Sequence, residues 1–523
     1  MALTMSSLAL PRRSFLALAG AAAGSVILVG TEATQADAAP VPSDPLFRLG
    51  VASGDPHPDG VVLWTRLAPE PLAPDGFGGM PAVRVPVEWE VATDERFRHL
   101  VRRGTAQATP EWAHSVHVEV GGLQADRVYW YRFRAHGQPS PAGRTRTAPA
   151  RAARLNDVTF AFDSCHNYPD GYFTALRHLA GEDVDFVLHL GDYIYEGPSA
   201  GTIGRAHLPA AEVFSLADYR IRYGQYKLDD DLQAAHAAGP WIVAPDDHDV
   251  ENNWAGDHSQ PDSEPDQDPA VFRQRRAAAY QAFYENLPLR RSSMPAGTEM
   301  QVYRRLQFGD LMQLNVLDTR RYRDQQVVDQ ADRWNADRQI LGADQEQWLL
   351  DGLGGSTARW QILGNQVFMF DADQQDGEGE TYGTDPWEGY AAARQRLFDG
   401  LVERRVENFV VVSGDAHRSA TSDLKLDFSD QSSRTVGTEF LGTSISSGQD
   451  GADQDRLGEI WMAENPHLRF HNAQRGYQVC QVGRGELRTD YRVVPYVSRP
   501  GAPVSTRASV YVESGRAGVA AVS

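Results

Sequence analysis

Val184-Asp185-Phe186-Val187-Leu188-His189-Leu190-Gly191-Asp192-Tyr193-Ile194-Tyr195-Glu196 begins as an almost unbroken apolar run and ends in an acid-bearing turn. Such a run predicts a buried strand of the kind found in parallel sheets. The same grammar recurs on either side. Val158-Thr159-Phe160-Ala161-Phe162 runs into Asp163-Ser164-Cys165-His166, and Trp241-Ile242-Val243-Ala244 runs into Asp246-Asp247-His248-Asp249, followed by Asn252-Asn253. Phe409-Val410-Val411-Val412 runs into Ser413-Gly414-Asp415-Ala416-His417. Further strands are expected at 311–317 and 360–363, and a helix from Asp268-Pro269, with Asp as N-cap and Pro in the first turn. Strands alternating with helical segments predict an α/β core.

In open α/β sheets ligands collect beyond the carboxyl ends of strands. An Asp after a strand is ordinarily a turn residue or a helix N-cap, and Cys165 taken alone reads as a buried apolar residue. Four strand ends bearing acids together with His, Cys or Tyr carry a different meaning. Carboxylates gathered at one rim repel one another and need cations to stay ionised together. A thiolate, a phenolate and an imidazole suit a trivalent or borderline transition metal, whereas an all-oxygen neighbour suits Ca or another hard divalent ion. Asp192, bridging the two, would hold a metal pair suited to a phosphoryl group.

Residues 45–149 carry short alternating or aromatic runs, among them Val85-Pro86-Val87-Glu88-Trp89-Glu90-Val91 and Val128-Tyr129-Trp130-Tyr131-Arg132-Phe133. Their turn-then-aromatic-strand pattern resembles a fibronectin type III-like sandwich. A Pro/Ala/Arg linker at 147–156 leads into the catalytic-looking part, expected over 155–500, and residues 501–523 are expected to form a tail. The acidic stretches 256–268 and 371–385 read as loops that are either solvated connections or a rim over the site.

At 523 residues the chain exceeds what one hydrophobic core usually serves, and its 41% apolar content is that of a soluble protein. A net charge of -20 argues against a general nucleic-acid-binding face, although bound metal can reverse the sign locally. Arg12-Arg13-Ser14-Phe15-Leu16, an Ala-rich apolar stretch to Gly30 and Ala36-Asp37-Ala38 resemble a twin-arginine export signal over 1–38. That stretch is short for a bilayer span, and no other segment is long and apolar enough, so a secreted or envelope protein without a stable membrane span is expected. Of the two cysteines, Cys165 reads as a ligand and Cys480 as packing, with no disulfide between them.

The chain resembles the alkaline phosphatase D-like phosphoesterases, within the wider metallophosphoesterases. The resemblance rests on 140–149, Ser164-Cys165, 191–196, 317–323, Gly442-Thr443-Ser444-Ile445-Ser446-Ser447 and Arg475-Gly476-Tyr477. It implies a four-layer α/β/β/α catalytic domain behind the sandwich, and a ferric iron–calcium centre. By that resemblance Cys165, Asp192, Tyr195 and His417 would bind iron. Asp247 and Asp415, with Asp192 shared, would hold Ca, and His248 would be the catalytic histidine near the leaving group. Pro245-Asp246-Asp247-His248-Asp249 departs from the family's usual Trp-Asp-Asp-His-Glu, and ligation by Asp163 and Asp246 is left open. Arg320 or Arg321 would hold a phosphate oxygen, or else form a surface ion pair. The implied function is hydrolysis of a phosphate monoester or diester, the latter including phospholipid head groups and wall teichoic acids. A non-catalytic metal- or phosphate-binding envelope protein and an adhesive protein are the rival classes.

Overall fold

The computed structural model describes residues 44–523, so the expected export signal lies outside the described residues. Eight strands come first: β1 (Val51–His57), β2 (Gly60–Arg66), β3 (Val85–Ala92), β4 (Leu100–Ala108), β5 (Ser115–Val120), β6 (Val128–Ala135), β7 (Gln138–Pro139) and β8 (Gly143–Arg146). Strand and helix then alternate through β9 (Asp157–Asp163), α1 (Thr174–Leu179), β10 (Phe186–His189), α2 (Leu216–Lys227), α3 (Asp230–Ala238), β11 (Pro240–Val243) and α4 (Pro269–Asn286). A second series holds β12 (Arg304–Phe308), β13 (Met312–Val316), α5 (Gly342–Gly354), β14 (Trp360–Gly364), α6 (Ala391–Glu403) and β15 (Phe409–Ser413). After it come β16 (Ser419–Lys425), β17 (Thr435–Leu441), α7 (Arg456–Glu464), β18 (Leu468–Asn472), β19 (Arg475–Gly483), β20 (Glu486–Val494), β21 (Ser505–Glu513) and β22 (Ala521–Val522).

Two sheets stack at the centre. One runs β22-β21-β20-β19-β9-β10-β11-β1-β2-β5 and the other β12-β13-β14-β15-β17-β16-β18. Strand alternation assigns each side chain to a layer. Phe160, Phe162, Phe186, Leu188 and Ile242 of the first sheet face Leu314, Val316, Ile362, Val410 and Val412 of the second in one apolar core. The residues between them point outward: Ala161, Val187 and Trp241 against α1–α4, and Leu363, Phe409 and Val411 against α5 and α6. The result is the four-layer α/β/β/α sandwich, with both central strand sets parallel. Helix α4 starts as its sequence predicts, Asp268 accepting from Ala270 N at 2.8 Å with Pro269 as the first residue.

One boundary falls elsewhere than expected. Residues 501–523 are no tail, since β21 pairs antiparallel with β20 and inserts Ala508, Val510 and Val512 into the inter-sheet core. The period-two spacing of those three residues drives this, because a strand with one apolar face finds a matching edge beside it. The N-terminal β-rich part is also not closed on itself. A five-strand sheet, β4-β3-β6-β7 with β8 on β6, packs against β1, β2 and β5, and these three belong to the ten-stranded sheet. β1 runs parallel to β11, with Ser53 opposite Pro240 and Gly54 opposite Trp241.

Candidate metal centre

The loops after β9, β10, β11 and β15 meet at one end of the two sheets. Close approach is built into the backbone. Gly191 has φ +115°, and a Cβ there would lie 2.3 Å from Asp246 Cβ, so only glycine lets the loop after β10 lie against the loop after β11. Cys165 (φ +62°), Asp192 (+56°), Asp415 (+69°) and His417 (+56°) all adopt the left-handed conformation, which L-residues with a Cβ seldom hold. Strain of this kind, of order 1–3 kcal/mol per residue, persists where the surroundings over-determine it and clusters at functional sites.

One carboxylate supplies much of that constraint. Asp249 Oδ2 accepts from the backbone N–H of Asp192 and of Asp246, each at 3.0 Å. Its Oδ1 accepts from Tyr193 N and the Tyr223 hydroxyl, each at 3.1 Å. The residue that departs from the family's usual Glu thus ties two site-bearing loops together.

Six expected ligands come together in two groups that share Asp192. Cys165, Asp192 and His417 offer donor atoms within 4.8 Å of one another. The Tyr195 hydroxyl sits among them, 3.0 Å from Asp192 Oδ2, 2.9 Å from His417 Nε2 and 2.8 Å from Ser447 Oγ. Asp192, Asp246, Asp247 and Asp415 form the second, all-oxygen group, so Asp246 stands inside the cluster. Asp163 does not. Its carboxylate binds His166 Nε2 at 2.8 Å and His189 Nδ1 at 3.2 Å in a fully buried set beneath the site.

The electrostatics are those of carboxylates crowded together out of water, with Arg320 and His248 as the counter-charges beside them. Burial and then Asp247 push the Asp192 carboxyl well above its ordinary range, and burial and then Asp246 do the same to Asp415. Burial, with Asp192 next, likewise raises the Cys165 thiol and the Tyr195 phenol. Asp246 reaches about 7 through burial, against the pull of Arg320. Asp247 is also buried, yet Arg320 and His248 outweigh that and lower it. Asp247 Oδ1 is buried without a hydrogen-bond partner, an orphaned anionic oxygen of the kind a metal satisfies. The donor sets fit the expected pair, with sulfur, phenolic oxygen and imidazole on one side and carboxylates alone on the other.

His248 lies beside the shared carboxylate. Its backbone N–H reaches Asp192 Oδ1 at 3.3 Å, and its ring lies 4.1 Å from that of Tyr195. Nδ1 pairs with Glu196 Oε2 at 2.7 Å, and Glu196 Oε1 accepts from Asn252 N at 2.7 Å. Burial opposes protonation of His248, but Glu196, Asp192 and Asp247 outweigh it and raise its pKa well above the ordinary value.

The two arginines part company. Arg320 is buried at the acidic group: Nε binds Asp246 Oδ1, Nη1 binds Asp385 Oδ1 at 2.8 Å, and Nη2 stands 3.5 Å from both Asp247 and Asp415. Arg321 turns away to Glu299 and the Met300 carbonyl, so it is not brought to the site. Sequence reading missed roles for Glu196, Asp249, Asp385 and Ser447. The first closes the motif that begins at Gly191 and the second follows His248, so both were within sight; Asp385, reaching back from the 371–385 loop, has no local signal.

The PhoD-like phosphatase family matches residues 160–491, and its N-terminal domain matches residues 32–149. The chain belongs to the PhoD-like phosphatase family. It is 47% identical over 518 residues to alkaline phosphatase D of Bacillus subtilis (strain 168), covering 97% of this chain and 87% of the relative. A solved structure described as "Structure of PhoD" superposes with a TM-score of 0.88 at 48% identity, covering 92% of this chain and 93% of the other. Membership of the family makes the chain a phosphoric ester hydrolase.

Proposed function

We propose that this hydrolase acts on phosphate esters through a ferric iron–calcium centre. Iron would be held by Cys165, Asp192, Tyr195 and His417, and calcium by Asp192, Asp247 and Asp415, with Asp246 alongside. The observation that carries the reading is one buried carboxylate shared by a thiol–phenol–imidazole group and an all-carboxylate group. Bound there, the ions would supply Lewis-acid polarisation of the phosphoryl oxygens and lower the pKa of water. The chain's own residues would do the rest. His248, held through Nδ1 by Glu196, presents its ring beside the shared carboxylate, where it would give a proton to the leaving alkoxide. Arg320 is fixed at two of its nitrogens, and its remaining one, Nη2, has no hydrogen-bond partner. That nitrogen would meet a phosphoryl oxygen. Arg12-Arg13 and the apolar stretch behind them support export by the twin-arginine route. No helix among the described residues is long and apolar enough to cross a membrane.

The test is turnover of a chromogenic phosphomonoester and a phosphodiester before chelation, after it, and after calcium is restored. Activity lost on chelation and regained with calcium supports the centre, and the ratio of the two rates reports ester preference. Full turnover by protein that elemental analysis finds free of iron and divalent ions would overturn it.

A further inference from the structure

Residues 256–268, Gly-Asp-His-Ser-Gln-Pro-Asp-Ser-Glu-Pro-Asp-Gln-Asp, form an acidic loop ahead of α4 that the proposed reaction does not use. The loop folds onto Glu251, which is fully buried although it lies only four residues beyond Asp247. Carboxylate oxygens of Glu251, Asp262 and Asp266 lie within 4.8 Å of one another. Two of the three acids, Glu251 and Asp266, are at 0% exposure. Arg275 answers part of this charge, at 3.1 Å from Glu251 Oε1 and 2.9 Å from Asp266 Oδ2, but it also serves Glu212 at 2.7 Å.

Glu251 Oε2 is buried and has no hydrogen-bond partner. Ser259 Oγ lies 3.3 Å from Glu251 Oε1, 3.3 Å from Asp266 Oδ1 and 3.0 Å from the Gln260 carbonyl oxygen. A serine hydroxyl carries one proton, so it serves only one of these three oxygens, and Gln267 Nε2, at 2.9 Å from Ser259 Oγ, the Gln260 carbonyl oxygen and Asp262 Oδ1, is the group that a cation bound there would displace. Oxygens about 3.0–3.4 Å apart form the edges of a polyhedron whose centre is about 2.3–2.6 Å from each, which is the calcium distance. Burial, against the pull of Arg275, also raises the Glu251 carboxyl to about 8, as expected of an anion lacking its cation.

The geometry points to a separate calcium-class cation site formed by Glu251, Asp262 and Asp266 with Ser259 Oγ and the Gln260 carbonyl. All its donors are oxygens, which excludes a preference for zinc or copper. One consequence reaches the catalytic region. Gln260 Oε1 accepts from Asn252 Nδ2 at 2.6 Å, and Asn252 N donates to Glu196, the partner of His248. A cation that orders this loop therefore braces the segment behind Glu196. The site stands independently of the iron–calcium reading.

Hydrogen–deuterium exchange of the full chain, with calcium titrated from the micromolar range to about 1 mM, the weaker end known for extracellular calcium modules, separates this site from the active centre by location. In the wild type, calcium slows exchange in peptides covering 256–268 at least fivefold. In Asp262→Asn, an exposed position, that slowing is lost, while calcium-dependent protection of peptide 409–417, which carries Asp415 and His417, stays within twofold of wild type. Glu251→Gln, which keeps the Arg275 contact, gives the same loss. No calcium effect on 256–268 in the wild type, or one that persists unchanged in both variants, overturns the proposal.

Discussion

Replacing Asp249 with Ala removes one carboxylate and leaves four donors without an acceptor, namely the N–H groups of Asp192, Tyr193 and Asp246 and the Tyr223 hydroxyl. A buried donor left unsatisfied costs about 1–3 kcal/mol, so four cost about 8 kcal/mol at a middle value. A gain opposes this. Burial holds the Asp249 carboxyl at about 6 against an ordinary 3.8, so keeping it ionised costs about 3 kcal/mol that the alanine does not incur. The net expectation is a loss of about 5 kcal/mol, a large share of the roughly 5–15 kcal/mol that holds a domain together. Asp249→Asn keeps one acceptor oxygen and should lose about half as much. Equilibrium urea denaturation followed by circular dichroism measures both losses, and iron analysis of the folded fraction reports whether the site survives. Two variants within about 1 kcal/mol of wild type, with full iron, would refute the view that this carboxylate ties the loops together.

Four further outcomes follow from the same geometry. Tyr195→Phe should retain iron near one per chain yet lose a visible charge-transfer band; an unchanged spectrum removes Tyr195 from the ligand set. Glu196→Gln takes away the strongest influence holding His248 protonated, so the alkaline limb of kcat/KM should move to lower pH and kcat/KM should fall about 10–100-fold, the worth of a charged hydrogen bond; an unmoved limb argues against His248 as the acid. Arg321→Ala should leave kcat/KM within about twofold, because its guanidinium is spent on Glu299 and Met300, while Arg320→Ala should lose most activity; equal effects would contradict the assignment. Cys165 and Cys480 are both free thiols, so both should alkylate in denatured, metal-free protein, and a mass two hydrogens light with neither blocked would show a disulfide.

The strands that bear the site could be read from the sequence because each is apolar on both faces and each ends in an unusual residue. Phe160, Leu188, Ile242 and Val410 face the core between the sheets, while Ala161, Val187 and Val243 face the helices α1–α4 and Val411 faces α5 and α6, which leaves no alternation to confuse with a helix. Residues at the strand ends were legible because acids recur there together with Cys, His or Tyr at four strand ends, although an Asp alone is ordinary in a turn. What escaped depends on contacts between distant segments. Asp385 reaches Arg320 from a loop 65 residues away, and the choice between Arg320 and Arg321 is made by which neighbour binds Glu299. Nothing local distinguishes two consecutive arginines. The assignment of 501–523 as a tail failed for a related reason, since a strand following a Pro-Gly turn has no partner in view until β20 is placed beside it.

The pairing of β1 with β11 also shapes how the chain acquires and keeps its structure. Strand β1, the first among the described residues, cannot complete its hydrogen bonds until residues near 240 have followed, so the N-terminal segment waits on the catalytic one. Pairings this distant in sequence slow folding, because the loop must close before the contact repays it. Proteolysis in the 147–156 linker should not free two working halves. It would strip β1, β2 and β5 from the ten-stranded sheet and turn β11 from a central strand into an open edge, with its backbone donors and acceptors offered to any neighbouring chain. The expected fate of such a fragment is aggregation.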